Sequence, residues 1–167
     1  MKILVIGYGN QSRRDDGAGW LVIERLAALD LPDVELHVAH QLEVDVAETI
    51  SRFDVVIFVD AAVMDGPHAV TRTLVHPNPE SCPAVAGSHH MTPADVLALC
   101  RTLYGKEPQV MLFSIRGHDF NFGMTVSPAV EDAANEVVQQ IMQIVKNPHP
   151  DPLPCAARER GTVCSLR

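Results

Sequence analysis

One segment near the start of the chain constrains its fold more than any other. It runs from Gly7 to Gly19 and follows a short apolar run at residues 3–6. The glycines indicate a tight turn at the end of a strand, and the apolar residues that recur from Trp20 onward predict a helix. In an open parallel sheet, a strand-to-helix turn of this kind lies at the carboxyl end of the strands, where ligands bind. The segment therefore predicts an α/β fold with a ligand site beside the turn.

The turn contains two adjacent carboxylates, Asp15 and Asp16. An acid at a helix start caps the helix and is favoured by its dipole, so Asp15 is predicted to be the N-cap. The second acid is then left to face a ligand. A dinucleotide fingerprint would need a third glycine where Ser12 stands, and the two acids would repel a pyrophosphate. A nucleotide-dependent enzyme is therefore the disfavoured alternative.

Strand-like and helix-like segments alternate along the chain. Strands are predicted at about residues 2–8, 34–39, 54–60, 70–76 and 108–116, and helices at about 16–29, 43–52, 93–104 and 128–145. The link from Asp60 to Ala69 is too short for a parallel crossover, so the fourth strand is predicted to be antiparallel. The predicted fold is a three-layer α/β sandwich: a mostly parallel five-stranded sheet with one antiparallel strand and helices on both faces.

Composition narrows the classes of function. Residues 1–146 are predicted to form one domain, and the Pro-rich residues 147–167 an extended or disordered tail. The net charge of −8 and the lack of a basic block predict no nucleic-acid partner. No apolar stretch approaches the ~20 residues that span a bilayer, and no signal peptide is recognisable. Four scattered cysteines are expected to be reduced thiols. We therefore expect a cytoplasmic monomer without membrane contact.

Candidate site residues fall on loops that are expected to meet at the carboxyl edge of the sheet. Asp60 ends a buried strand, where desolvation makes an unpaired carboxylate costly. Asp16 follows the glycine turn, and the pair His89 and His90 precedes a helix. Two carboxylates and one imidazole suit a borderline metal such as nickel, zinc or cobalt, and leave positions open for substrate. His118, which follows the fifth predicted strand, is a further candidate.

Four segments together resemble the nickel–iron (NiFe) hydrogenase maturation endopeptidases. They are ILVIGYGN (3–10) with DDG (15–17), VIFVDA (56–61), HHMTPADVLAL (89–99) and GMTVSPAV (123–130). They follow one another in the family's order over about residues 1–145. The resemblance implies an endopeptidase that removes a short C-terminal extension from the large-subunit precursor of a NiFe hydrogenase, after nickel has been inserted.

The resemblance also implies roles for individual residues. The family positions that bind or sense nickel correspond to Asp16, Asp60 and His89, with His90 as an alternative to His89. All three are expected to be catalytic and to contact the metal, and the nickel is expected to belong to the substrate rather than to a permanent cofactor site. Two mechanisms stay open: the metal could polarise the carbonyl or activate water, or one aspartate could act as general base. A non-catalytic nickel-sensing or nickel-delivery protein is the alternative from another class.

Overall fold

A computed structural model describes residues 1–79 and 91–147. These residues form a five-stranded sheet in the order β2-β1-β3-β5-β4. The strands are β1 (Ile3–Tyr8), β2 (Val34–Ala39), β3 (Val55–Ala62), β4 (Val70–Val75) and β5 (Gln109–Arg116). Strand β4 runs antiparallel to β5, and the other neighbouring strands are parallel. The predicted antiparallel fourth strand is therefore confirmed.

In the described part of the chain, four α-helices cover the two faces of the sheet. They are α1 (Ala18–Ala27), α2 (Asp45–Ile50), α3 (Pro93–Tyr104) and α4 (Pro128–Lys146). Helices α1 and α4 pack on one face with Ile3 and Val5 of β1, whereas α2 and α3 pack on the other with Leu4 and Ile6. Alternate residues of β1 thus enter different cores, which explains why this strand is apolar on both faces. The predicted three-layer α/β sandwich is confirmed.

Helix α3 begins as its sequence predicts. Thr92 Oγ1 accepts a hydrogen bond from the Asp95 N–H, and the Asp95 carboxylate accepts one from the Thr92 N–H. Pro93 occupies the first turn, and Gly105 ends the helix with a left-handed φ of 61°. The capped start fixes where the chain enters α3, and Met91 and Thr92 lie at the carboxyl edge of the sheet.

The prediction that Asp15 caps the first helix is wrong. Asp15 and Asp16 lie in a short 3-10 helix, Arg14–Gly17, and Gly17 is the N-cap of α1 without a side-chain cap. Asp15 is instead fully buried. A buried carboxylate needs several donors, and a helix start offers only part of them, so Asp15 takes its partners from another loop, described below.

Two predicted segments lie outside the described residues. His89 and His90 belong to residues 80–90, and the predicted tail occupies residues 148–167. The domain boundary near residue 146 therefore stays a prediction. Within the described ranges, none of the helices has the length and apolarity needed to cross a bilayer.

Candidate active site

Asp16 and Asp60 line the same cleft, of about 450 Å³, at the carboxyl edge of the sheet. Asp16 follows β1 and Asp60 lies near the end of β3, and these two strands are neighbours in the sheet. In the sheet, β2 lies on one side of β1 and β3 lies on the other. The order of the strands therefore reverses direction at β1, which makes this edge a topological switch point, where α/β proteins bind ligands. Two of the three predicted site residues are thus brought together.

The walls of the cleft come from four segments of the chain. They are the turn after β1, the residues after β2, the end of β3 and the start of α3, with the lining side chains Tyr8, Gly9, Asn10, Arg13, Asp16, His40, Gln41, Leu42, Asp60, Met91, Thr92 and Pro93. Backbone and polar groups therefore surround the two carboxylates on several sides. A concave site with a few convergent polar groups is a candidate ligand-binding site.

The glycine turn fixes the Asp16 carboxylate. The Asn10 N–H donates to Asp16 Oδ2 at 2.9 Å. Gly9 has a φ of 132°, and a Cβ at this position would lie 2.2 Å from the carbonyl oxygen of Asp16. Only glycine permits this close approach of the two backbones. The turn therefore positions one carboxylate at the mouth of the cleft by its backbone alone.

Asp60 has unusual electrostatics for an aspartate. Its pKa is raised from 3.8 to about 6, mainly by burial. The nearby Asp16 charge also raises the pKa, while hydrogen bonds from the Tyr8 hydroxyl and the Ala61 N–H lower it. Its carboxyl group therefore exchanges a proton near neutral pH. A carboxylate of this kind is suited to general acid–base chemistry.

Tyr8 is a site residue that the sequence analysis missed. Burial, the charge of Asp60 and their hydrogen bond raise the Tyr8 pKa above its usual range, so the phenol stays protonated and donates to Asp60. The ring also meets Phe58 edge-on, with centroids 6.2 Å apart. Gly7 pairs with Val59 in the sheet, so the next residue on each strand brings Tyr8 beside Asp60. The pairing depends on the register of the two strands, which the sequence pattern does not give.

His40 is a second residue that the sequence analysis left unassigned. It follows β2, which pairs with β1 in parallel, and it lies exposed on the wall of the cleft. The signal was positional, because residues just beyond neighbouring parallel strands share one edge. His118, by contrast, does not line this cleft, and its backbone N–H donates to Asp15 at 2.8 Å.

Asp15 holds the loop that follows β5. Its carboxylate accepts hydrogen bonds from the N–H groups of His118, Asp119 and Ser127 at 2.7–2.9 Å, and from the Ser127 hydroxyl at 3.0 Å. Burial alone would raise the Asp15 pKa, but these four bonds outweigh it and lower the pKa. The adjacent acids therefore differ in surroundings: Asp15 is an internal anchor, and Asp16 faces the cleft.

Comparison with known proteins identifies the fold to which this cleft belongs. No family model matches the chain, and no curated protein matches it. Among solved structures, the hydrogenase maturating endopeptidase HybD from E. coli superposes with a TM-score of 0.70 at 21% identity, covering 89% of this chain and 94% of that one. The NiFe hydrogenase maturation protease HycI from Thermococcus kodakarensis gives 0.67 at 26% identity, covering 87% and 93%. This chain has the fold of the hydrogenase maturation proteases. The comparisons confirm the resemblance, the fold class and the class of enzyme predicted from the sequence.

Metal binding stays a prediction. Among the described residues, no group of three or more His, Cys, Asp or Glu side chains is arranged to hold a metal ion. Asp16 and Asp60 offer two oxygen ligands, and the predicted third ligand, His89, lies outside the described residues. A site with two protein carboxylates leaves room for a metal that arrives with its own ligands.

Proposed function

We propose that this protein is an aspartyl-type endopeptidase that removes a short C-terminal extension from the nickel-loaded large-subunit precursor of a NiFe hydrogenase. The observation that carries this proposal is the meeting of Asp16 and Asp60 in one cleft. The cleft lies at the switch point of a fold shared with proteins named as hydrogenase maturation proteases.

The chemistry of the two carboxylates supports peptide hydrolysis. Asp60, with a pKa of about 6, can take a proton from a water molecule that attacks the scissile carbonyl carbon. The same proton can then pass to the leaving amine as the carbon–nitrogen bond breaks. Tyr8 holds the Asp60 carboxyl group through its hydrogen bond. Asp60 is therefore proposed as the general base.

The second carboxylate is proposed to recognise the substrate's nickel. The negative charge of Asp16 raises the pKa of Asp60, which shows that the two carboxylates repel each other. A cation in the cleft would relieve this repulsion. The nickel of a loaded precursor, held by the precursor's own cysteine thiolates, would supply this charge. Binding would then position the adjoining peptide bond, and positioning alone accelerates such reactions by several orders of magnitude.

His89 is proposed as the third metal contact. Met91, two residues later in the sequence, lines the cleft. Thr92, the N-cap of α3, follows Met91 and lines the same cleft. This proximity in sequence supports His89, and it leaves His90 as the alternative.

The proposal is tested by replacing single side chains and measuring cleavage of the precursor. Asp60→Asn, Asp16→Asn and His89→Ala are each expected to lower the single-turnover rate at least about a hundredfold, since each removes a group from the reacting centre. Asp132→Asn, at an exposed position on α4, serves as the matched control and should cleave at the wild-type rate. Unimpaired cleavage by Asp60→Asn would rule out its role as the base. A wild-type protein that binds nickel tightly but leaves the precursor uncut would favour the nickel-delivery alternative.

A further inference from the structure

The loop between β5 and α4, residues 118–126, presents an unusual apolar surface. Phe122 is 85% exposed and Met124 is 73% exposed. Val63, just beyond β3, is 84% exposed, while no other large apolar side chain in the described residues exceeds the 56% of Leu103. The Gly117 N–H donates to the Ala62 carbonyl, so the loops after β3 and β5 adjoin. Apolar side chains grouped at one edge of a protein indicate an interaction site.

The backbone of this loop is held in place by the turn that follows β1. The Arg14 N–H donates to the Gly123 carbonyl at 2.9 Å, and the Gly123 N–H donates to the Ser12 carbonyl at 2.9 Å. Arg14 Nε donates to the Phe122 carbonyl at 3.4 Å, and the buried Asp15 carboxylate binds both ends of the loop. Phe122 is therefore presented to solvent from an ordered backbone. A preorganised apolar side chain loses little entropy on binding, which is the property of a docking anchor.

The apolar loop and the cleft form one continuous surface. Arg13 lines the cleft, and its Nε donates to the Phe120 carbonyl at 3.1 Å. Arg13 also forms a parallel β-bridge with Gly123, between Phe122 and Met124. One residue of the turn thus contacts both regions. A protein that inserts a segment into the cleft would cover this loop as well.

A small depression of mixed polarity lies beside the loop. It has a volume of about 240 Å³, and its walls combine the apolar Leu21, Met124 and Val126 with the charged Arg14, Glu24 and Glu131. An exposed Met adapts its shape to the side chain that it meets. The surface therefore offers an exposed aromatic ring beside a depression that has both apolar and charged walls, as protein–protein interfaces combine an apolar centre with a polar rim.

We infer that Phe122 and Met124 dock the folded body of the protein substrate, through apolar side chains that lie beside the segment entering the Asp16–Asp60 cleft. This inference rests on the proposed function and adds the contact by which the enzyme selects a whole protein. Cleft contacts with a short extension bury little surface, whereas stable recognition of a protein needs a larger interface. The apolar loop supplies that additional area.

The test compares the double variant Phe122→Ser/Met124→Ser with wild type on the nickel-loaded large-subunit precursor of the hydrogenase from the same organism. The precursor concentration that gives half-maximal cleavage should rise about tenfold or more, and the maximal rate should change less than about twofold. Leu103→Ser is the matched control, because Leu103 is exposed at the far end of α3 and should leave both quantities unchanged. A thermal melt verifies that each variant is folded.

Three results would overturn the inference. The double variant could match wild type in half-saturating concentration, it could lose maximal rate alone, or it could alter self-association by light scattering, which would assign the loop to a second copy of this chain. Failure of the proposed function is seen separately, as wild-type protein that does not cut the precursor. Direct binding of the precursor to immobilised protein then tests the docking surface. A tenfold lower affinity of the double variant supports the inference. Equal affinity of the double variant and wild type, or no binding of the precursor by wild type, contradicts it.

Discussion

The two adjacent aspartates of the turn show how surroundings, rather than residue type, assign a role. Asp15 is buried and accepts four hydrogen bonds, whereas Asp16 borders the cleft and accepts one from the Asn10 N–H. The sequence predicted a helix cap for Asp15 and a ligand-facing position for Asp16, but it did not predict that Asp15 anchors another loop. Only the fold of the 118–126 loop, which packs over one of them, separates the anchor from the functional group.

This division predicts opposite effects on stability and activity. Asp15→Ala leaves several buried donors without an acceptor and should lower the free energy of unfolding by about 3 kcal/mol or more. Asp16→Ala should change it by less than about 1 kcal/mol while abolishing cleavage. Urea denaturation followed by circular dichroism measures both. Equal destabilisation by the two substitutions would contradict the separate roles.

The pKa of Asp60 predicts a stability that depends on pH. The ordinary value is 3.8 and the folded value is about 6, so the protonated carboxyl group is favoured in the folded state. Its stabilising contribution is present in full below about pH 4 and is lost as pH rises through about 6. Asp60→Asn removes this dependence. The variant should be more stable than wild type by about 3 kcal/mol at pH 8, and the difference should fall to about half at pH 5.

Unfolding curves at several pH values between 5 and 8 measure this difference. Asp132→Asn, on the exposed side of α4, is the control for removing a carboxylate outside the cleft. The free energy of unfolding of Asp60→Asn could exceed that of wild type by the same amount at every pH, or by more as the pH falls. Either result would contradict a raised pKa of Asp60 in the folded protein.

At the scale of elements, the packing of α1 against the sheet depends on Gly19, the last glycine of the segment from Gly7 to Gly19. A Cβ on Gly19 would lie 2.6 Å from the Val59 carbonyl oxygen and 2.8 Å from the backbone N and O of Tyr8. These are backbone atoms, so they cannot move aside as a flexible side chain would. The start of α1 therefore lies directly on β1 and β3, next to both carboxylates of the cleft.

Substituting this glycine should damage fold and site together. Gly19→Ala is expected to destabilise the protein by about 2–3 kcal/mol, since the helix must shift away from the strands. Gly17→Ala is the matched control, because its Cβ would meet nothing closer than 3.4 Å and should cost less than about 1 kcal/mol. Thermal melts of both variants decide the matter. A Gly19→Ala protein as stable as the control would show that the contact is not tight in solution.

The elements themselves were accessible from sequence because local signals agreed with the fold. The buried apolar run of β3, the short link that forces β4 to be antiparallel, and the Thr92–Pro93 helix start each depend on neighbours in the chain. The hydrogen-bond partners of Asp15 lie in a loop more than a hundred residues later in the chain. The hydrogen bond from Tyr8 to Asp60 depends on the register of β1 against β3. Periodicity carries no information about such contacts, so these features required the structure.

At the scale of the whole molecule, one edge of the sheet gathers the features that bear on function. The cleft with Asp16 and Asp60, the capped start of α3 and the apolar 118–126 loop all lie there. The sequence predicted that the loops of Asp16, Asp60 and the start of α3 meet at this edge, because the carboxyl ends of parallel strands share one edge. The exposed Phe122 was not anticipated, because exposure of an apolar residue cannot be inferred from its identity.

The most direct test of the account is intact-mass spectrometry of the hydrogenase large-subunit precursor after incubation with this protein, with and without nickel loading. We expect a single C-terminal loss of defined mass in the nickel-loaded sample, and no change without nickel or with the Asp60→Asn variant. Equal cleavage of the precursor with and without nickel would contradict metal recognition by the cleft. An unchanged precursor in every sample, despite binding of the two proteins, would contradict the peptidase activity itself.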